Sequence, residues 1–153
     1  GLVLNKPLDA RVDAVLPQWH QHVAEPARLF QGGPVGMDSA LGLVQMPTPT
    51  SADSIPTVVG VNVLGGGVGL VDLDAPAEVV IPQVTCLRVY VGYAGWTPGQ
   101  LADEIDDGAW HVVDADPRDA FRPDVGTLWR EVLMRQRNKV SWLATYTENP
   151  EHN

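Results

Sequence analysis

The sequence predicts an α+β fold that forms a single domain over residues 1–153. Strand-like segments outnumber helical segments, and the two kinds do not alternate strictly along the chain. A doubly wound parallel sheet requires such alternation, so that architecture fits poorly. An apolar content of 44% over 153 residues is enough for one sizeable core, and this length favours one domain over two.

The N-terminal third combines strand, helix and turn signals. Residues 1–5 are predicted to form a strand that Pro7 ends, because proline has no amide hydrogen to donate. Between residues 9 and 23 apolar side chains recur every three or four positions, which is the helical period, and Pro17 should divide this helix. Residues 31–34, with the sequence Gln-Gly-Gly-Pro, then indicate a turn.

The middle of the chain predicts a strand, a loop and a hairpin. Residues 40–46 have the character of a strand, and residues 47–56 are rich in Thr, Ser, Pro and Asp without any apolar period. The latter composition is typical of an exposed loop. Residues 57–64 and 68–73 are strand-like and flank three consecutive glycines, so they predict a β-hairpin.

Five further elements are expected in the second half. A short helix is predicted at residues 76–80 and a strand at residues 86–93, where apolar residues alternate with Arg and Tyr. Residues 110–113 should return as a strand. A last helix is expected over residues 126–137, and a terminal strand over residues 141–146.

The helix between residues 97 and 108 has the best defined ends. Thr97 is a suitable N-cap, with Pro98 at the first helical position and Gln100 placed to complete a capping box. Gly108 should end the helix. Its acidic residues are expected to face water: Asp103, Glu104, Asp106 and Asp107.

Charge and composition limit the classes of partner. With a net charge of −9, the protein lacks the overall positive potential that binding to a nucleic-acid backbone requires. We therefore do not expect direct nucleic-acid binding. One local cluster is basic, and we interpret it as a solvated helix face, with DNA binding as the alternative. Its members are Arg130, Arg135, Arg137 and Lys139.

The lengths of the apolar segments bear on the cellular location of the protein. All apolar runs are far shorter than the roughly 20 residues of a membrane helix, so we expect no membrane association and a cytoplasmic protein. The single cysteine, Cys86, excludes an internal disulfide, and its place in a strand-like run suggests a small buried apolar side chain.

No motif of a known catalytic or cofactor site stands out. His20 and His22 point about 200° apart around a helix axis, which does not suit a shared metal ion. The glycine run at residues 65–69 lacks the Lys-Ser/Thr ending of a phosphate loop, so a hairpin turn is favoured over nucleotide binding. The serines lack a Gly-x-Ser-x-Gly elbow. We therefore predict no metal and no cofactor.

Three segments carry a resemblance to a known family. Residues 88–110 contain Gly-Tyr-Ala-Gly-Trp-Thr-Pro-Gly-Gln-Leu, and together with residues 1–7 and 31–35 they resemble the AlgH/YqgE family of small bacterial proteins. The resemblance implies a mixed, partly barrel-like β-sheet surrounded by helices. The family usually has Arg in place of Lys6 and one more strand pair before the first motif, so this strand pair is expected to be missing here.

The resemblance implies a fold rather than a reaction, and names given to the family suggest transcriptional regulation. We expect a non-enzymatic protein that acts through protein contacts or an unidentified ligand, in regulation. The alternative is a small-molecule-binding protein or an enzyme with a pocket near the glycine pair and Trp96. The candidate ligand- or partner-binding residues are Gly32, Gly33, Tyr93, Trp96 and Gln100.

The aromatic residues near this candidate site have two interpretations. Tyr90, Tyr93, Trp96 and Trp110 could fill the core and its corners, because large aromatic side chains bury much area. They could instead line a concave pocket. A titratable group with a shifted pKa in that pocket would favour an enzyme, whereas an exposed apolar patch without one would favour an interaction module.

Overall fold

The computed structural model describes residues 1–47, 58–136 and 139–145. The chain divides into two compact units. The first unit comprises residues 1–94 and 116–123, and the second comprises residues 95–115 and 124–153. The α+β class is confirmed, while the single domain over residues 1–153 stays a prediction.

The first unit contains a six-stranded mixed sheet in the order β1-β2-β6-β3-β5-β4. Neighbouring strands are antiparallel except β2 and β6, which are parallel. The sheet is open in the described part of the chain, with β1 and β4 at its edges, and is not partly barrel-like as expected. The strands are β1 Pro7–Arg11, β2 Arg28–Gln31, β3 Val35–Gln45, β4 Val61–Gly65, β5 Val68–Val71 and β6 Cys86–Tyr93.

Short helices pack on one face of this sheet, which we call the core face. They include α1, α2 and the 3-10 helix Pro17–His22, whose Trp19 is fully buried. The Trp19 indole N–H donates to the carbonyl of Leu73 at 3.3 Å. The bounds of the helices are α1 Val12–Val15 and α2 Ala77–Val80. From the sheet, the core takes Val44, Val71, Leu87 and Val89.

The second unit is helical where it is described. It contains α3 Gln100–Asp106, α4 Leu128–Met134 and a 3-10 helix, Lys139–Thr145. The end of α3 is the glycine stop predicted from Gly108, which has a φ of 77°. The amides of Gly108 and Ala109 donate back to the carbonyls of Ile105 and Glu104, which is the Schellman pattern.

Several predicted elements in the N-terminal third are wrong in their bounds. Residues 1–5 form no strand, and β1 begins at Pro7, where proline is tolerated because β1 is an edge strand. The expected helix of residues 9–23 is two short pieces, divided at Pro17 as predicted. The strand β2 was not predicted, because four residues are too few to show a period.

Later elements are partly confirmed. The helix at α2 and the strand β6 match their predictions. The hairpin of β4 and β5 is confirmed, but β4 begins later than expected, at Val61, and β3 begins earlier. Residues 110–113 form no strand, and residues 141–145 belong to a 3-10 helix where a strand was predicted. The helix α4 is shorter than expected. The predicted loop lies outside the described residues except for Pro47.

Candidate functional site

The predicted glycine pair lies where β2 ends beside β6. The Gly32 amide donates to the Val91 carbonyl at 2.8 Å. A Cβ atom on Gly32 would overlap the Gly92 carbonyl oxygen, and one on Gly33 would overlap the backbone of Tyr93. The two glycines therefore permit a backbone approach that no other residue allows.

The leading residues of the chain are held against the same region. The Val3 amide donates to the Gly32 carbonyl at 2.8 Å. The Gly1 amine donates to the Ala94 carbonyl at 2.8 Å, and the Ala94 amide donates back to Gly1 at 2.9 Å. These bonds fix residues 1–4 beside Tyr93, so their side chains border the sheet.

An apolar groove follows from this arrangement, on the sheet face opposite the core face. It has a volume of about 480 Å³. Leu43 and Leu70 are paired across β3 and β5 and so share this face with Leu41. Leu64 at the outer border is 55% exposed. We call this feature the leucine groove, and it is lined by Gly1, Leu2, Leu4, Leu41, Leu43, Leu64, Leu70 and Tyr93.

The leucine groove offers little chemistry beyond apolar contact. Its polar groups are the Tyr93 hydroxyl and backbone atoms. Its lining residues include no carboxylate, imidazole or thiol that could act as a general base or nucleophile. The groove is therefore suited to hold an apolar group.

A buried cation lies farther along the same sheet face. Arg88, which pairs with Leu43 across β3 and β6, is fully buried and stacks 4.4 Å above the Phe30 ring. Its Nη2 donates to the carbonyls of Glu25 at 2.5 Å and Arg122 at 2.9 Å. Burial lowers the pKa of this guanidinium. These contacts tie the 3-10 helix Pro117–Phe121 to the sheet.

Tyr90 lies next to Arg88 on that face and is also fully buried. Burial raises the pKa of the Tyr90 phenol to about 12, and the neighbouring Arg88 charge offsets only part of this rise. Three buried polar atoms have no hydrogen-bond partner among the described residues, namely Tyr90 Oη and the Nε and Nη1 of Arg88.

The second unit contains a cluster around α3. The Glu104 carboxylate accepts hydrogen bonds from the indole N–H groups of Trp110 at 2.6 Å and Trp96 at 3.0 Å, both on Oε2. Its other oxygen accepts from the Gln100 amide at 2.9 Å. Gln100 Oε1 in turn accepts the Thr97 amide at 3.1 Å. The predicted N-cap at Thr97 is wrong, because α3 begins at Gln100 and is preceded by Gly99, with no side-chain cap. We call Trp96, Gln100, Glu104 and Trp110 the indole–carboxylate cluster.

These hydrogen bonds change the acidity of Glu104. Bonds from Trp110, then Gln100, then Trp96 lower the pKa of its carboxyl below the ordinary value. The two indole rings meet edge to face, with centroids 5.9 Å apart and planes at 75°. Trp110 is nevertheless 48% exposed, so the cluster is a surface feature.

Comparison with known families identifies the chain. The family model described as AlgH-like matches residues 1–141. The chain belongs to the AlgH-like family. A UPF0301 protein of Streptomyces avermitilis is 46% identical over 153 residues, which are 100% of this chain and 78% of that protein. A UPF0301 protein of Streptomyces coelicolor matches to the same extent.

Two solved structures resemble this AlgH-like chain. The crystal structure of protein DIP2367 from Corynebacterium diphtheriae has a TM-score of 0.85 and 32% identity, covering 95% of this chain and 75% of that one. The solution structure of the AlgH protein from Pseudomonas aeruginosa has a TM-score of 0.61 and 26% identity, covering 97% and 78%. None of these names states an activity, so membership supports the fold and leaves the function to the site.

The predicted site residues of the AlgH-like chain divide between the two units. Gly32, Gly33 and Tyr93 come together in the first unit, whereas Trp96 and Gln100 belong to the second. A site formed by all five therefore stays a prediction. Sequence reasoning missed Glu104, which was expected to face water, although two Trp residues flanking a Gln-x-x-x-Glu step were a usable signal.

Cys86 is not among the residues that line the leucine groove. Cys86 is half-buried, its thiol lies 3.4 Å from the Gln45 side-chain oxygen, and burial raises its pKa, which disfavours a reactive thiolate. Across residues 1–47, 58–136 and 139–145, no group of three or more His, Cys, Asp or Glu residues could hold a metal ion. Over the same stretch, no helix has the length and apolar character to cross a membrane.

The predicted basic cluster is only partly described. Arg130 is exposed on α4, and Arg135 follows the helix and donates to the Asp114 carbonyl at 3.3 Å. Arg137 lies outside the described residues, as does the side chain of Lys139. A second cavity of about 360 Å³ borders Arg130, Met134 and Trp142.

Proposed function

We propose that this AlgH-like protein is a non-enzymatic cytoplasmic binding protein that holds an apolar segment of a partner protein in the leucine groove, and that it acts in regulation through this contact. The observation that carries the proposal is the groove itself, with leucine walls and no carboxylate, imidazole or thiol among its lining residues. A regulatory protein of this kind acts by binding its partner. It therefore needs a surface that is complementary to the partner rather than a reactive group.

The size of the groove supports binding of a few side chains. Its volume of about 480 Å³ falls in the range of roughly 300–1,000 Å³ that ligand sites occupy. Each fully buried Leu, Phe or Met side chain contributes about 1.5–3 kcal/mol. Two or three such side chains contribute roughly 3–9 kcal/mol before the cost of association, so we expect weak binding, with a dissociation constant that is roughly submillimolar at best.

The charge of the protein restricts the partner. A net charge of −9 repels acidic segments at long range and attracts basic ones. We therefore expect the bound segment to combine two or three large apolar residues with neutral or basic flanks. Mutating flanking charges should alter the association rate and its salt dependence more than the dissociation rate.

A small apolar molecule in the same groove is the second candidate. The volume that accommodates side chains also accommodates a compact ligand, and Tyr93, one of the predicted site residues, lines the groove. The enzyme alternative has weaker support, because Tyr93 is the only lining side chain with a titratable group.

The test uses the full-length protein and an apolar fluorescent probe, 8-anilinonaphthalene-1-sulfonate. Leu64→Asp places a charge at the groove border, and Val59→Asp is the matched control because Val59 is 65% exposed and does not line the groove. We expect Leu64→Asp to weaken probe binding at least about fivefold, since a carboxylate is costly beside apolar surface. Val59→Asp should bind as the wild type does.

Peptides selected from a random library complete the test. Apolar peptides with basic or neutral flanks should displace the probe from the wild type and fail to bind Leu64→Asp. Displacement by small apolar molecules alone would favour the second candidate. The proposal is overturned if the full-length protein leaves no groove open to the probe, or if both variants bind equally well.

A further inference from the structure

In the indole–carboxylate cluster, one oxygen of Glu104 lies between the N–H groups of two indole rings. An indole N–H bond lies in the plane of its ring, and the Glu104 oxygen Oε2 accepts from both indoles, at 2.6 and 3.0 Å. This oxygen therefore lies close to both ring planes. Because the planes cross at 75°, it sits near the line where they meet.

The two ring faces consequently form a corner with a carboxylate at its base. A group placed in this corner would contact the π-face of each indole and remain close to Glu104. Trp110 is 48% exposed, so part of its indole ring is open to solvent. An apolar contact alone would leave the carboxylate unused, whereas a cation would use both the carboxylate and the ring faces.

The charge of the cluster is not neutralised within the described chain. All three donors to Glu104, from Trp96, Gln100 and Trp110, are neutral groups. The ion pairs of Arg11 with Asp13, Arg28 with Asp9, and Arg118 with Asp116 do not involve Glu104. The carboxylate keeps its full negative charge and its fixed orientation.

We propose that Trp96, Trp110 and Glu104 form a binding site for an organic cation, meaning an alkylated ammonium or a guanidinium group. Ring quadrupoles attract such cations, and Trp is the most effective aromatic residue for this purpose. Poorly hydrated cations suit the site best, because they lose little solvation on contact with the rings. The site belongs to the second unit and does not depend on the leucine groove.

The cation could be a free metabolite or an arginine side chain of a partner protein. Both present the same chemistry to the corner, and the probes separate them. Choline represents the free alkylated ammonium, with 3,3-dimethylbutan-1-ol as its uncharged counterpart of the same shape. A capped arginine tripeptide represents the protein side chain, with the citrulline tripeptide as its uncharged counterpart.

The experiment follows the indole N–H signals of the ¹⁵N-labelled full-length protein by NMR as each probe is added. We expect the Trp96 and Trp110 signals to shift with a roughly millimolar dissociation constant, because exposed cation–π contacts are individually weak. The tighter of the two charged probes identifies the source of the cation. The uncharged counterparts should leave both signals in place.

Matched variants test the residues. Trp110→Leu and Glu104→Gln should each weaken binding about two- to fivefold. Trp129→Leu removes another half-exposed Trp, and Asp103→Asn removes a neighbouring exposed charge on α3, so both should bind as the wild type does. The remaining amide signals report whether each variant is folded.

Three outcomes overturn the proposal. In the first, neither charged probe shifts the two indole signals. In the second, the uncharged counterparts bind as tightly as the charged probes, which would make the corner an apolar site. In the third, Asp103→Asn weakens binding as much as Glu104→Gln, which would attribute the effect to the net charge of the protein.

Discussion

At the scale of single residues, the two fully buried polar side chains of β6 differ in how well they are satisfied. Arg88 donates to two backbone carbonyls and stacks on Phe30, so it joins three segments of the first unit. Tyr90 presents a buried hydroxyl that has no hydrogen-bond partner among the described residues. Buried donors and acceptors without partners cost stability, so the Tyr90 hydroxyl is a liability in the isolated chain.

Tyr90→Phe should therefore leave stability unchanged or raise it at pH 8. Removing an unpartnered buried oxygen gains between zero and about 1 kcal/mol of unfolding free energy. Urea unfolding followed by circular dichroism measures the difference. A loss of more than about 1 kcal/mol in the free energy of unfolding would mean that the Tyr90 hydroxyl makes a stabilising hydrogen bond.

The same variant should remove an alkaline instability. The folded state holds the Tyr90 pKa at about 12, above the ordinary value of 10, so it favours the neutral phenol. The protonated Tyr90 phenol therefore contributes to the free energy of unfolding. This contribution is fully present below pH 10 and is lost as the pH rises from about 10 to 12, by on the order of 2–3 kcal/mol. Tyr90→Phe should lose correspondingly less stability than the wild type between pH 8 and pH 11.

Residue roles were predictable only where local sequence determines them. The sequence marked Trp96, Tyr93 and the glycine pair as unusual, and each lies at a structured position. The burial of Arg88 could not be predicted, because it depends on Phe30, Glu25 and Arg122, which are distant along the chain. The role of Glu104 depends likewise on the return of Trp110 toward α3.

At the scale of elements, the junction of β2 and β6 depends on the absence of side chains. The strands are parallel, with Phe30 opposite Tyr90 and Gln31 opposite Val91. Immediately after this pairing, Gly32 and Gly33 pass so close to β6 that a Cβ atom would overlap its backbone. The junction also positions residues 1–4, and through them one border of the leucine groove.

Gly33→Ala should consequently be severely destabilising. The added methyl group meets backbone, which cannot rotate away as a side chain can, so we expect a loss of about 3 kcal/mol or more in the free energy of unfolding. Gly126→Ala is the control, because its Cβ would lie 3.6 Å from the nearest atom, and it should change stability by less than about 0.5 kcal/mol. Equal stability of the two variants in urea would refute this account of the junction.

Element prediction succeeded where local signals were strong and failed where long-range contacts decide. The strand β6 and the hairpin of β4 and β5 have clear alternation or glycine turns, and both were correct. Residues 110–113 have a strand-like composition but pair with no other segment of the described chain. A strand needs a partner, and one sequence does not specify which segment supplies it.

At the scale of the whole molecule, each unit presents a different binding chemistry. The sheet of the first unit buries its core face under short helices and leaves leucines on the other face. The second unit holds two indoles, of which that of Trp110 is half-exposed, around a fixed carboxylate. Both features are suited to recognition, which agrees with a protein that acts by binding.

The class of fold was accessible from sequence, whereas the groove was not. Counting strands and helices was enough for an α+β assignment. The groove requires the strand order, the register of β3 against β5 and the path of residues 1–4, all of which are non-local. The sequence pattern of alternating leucines predicts only that one face of each strand is apolar.

The most direct test of the central claim is an NMR titration of the full-length protein with ¹³C-labelled leucine methyl groups and a library-selected apolar peptide. The account predicts that the methyl signals of Leu41, Leu64 and Leu70 shift together, with one dissociation constant, while those of Leu101 on α3 stay in place. Peptide binding that leaves the three groove signals unchanged would contradict the claim that the leucine groove is the binding site.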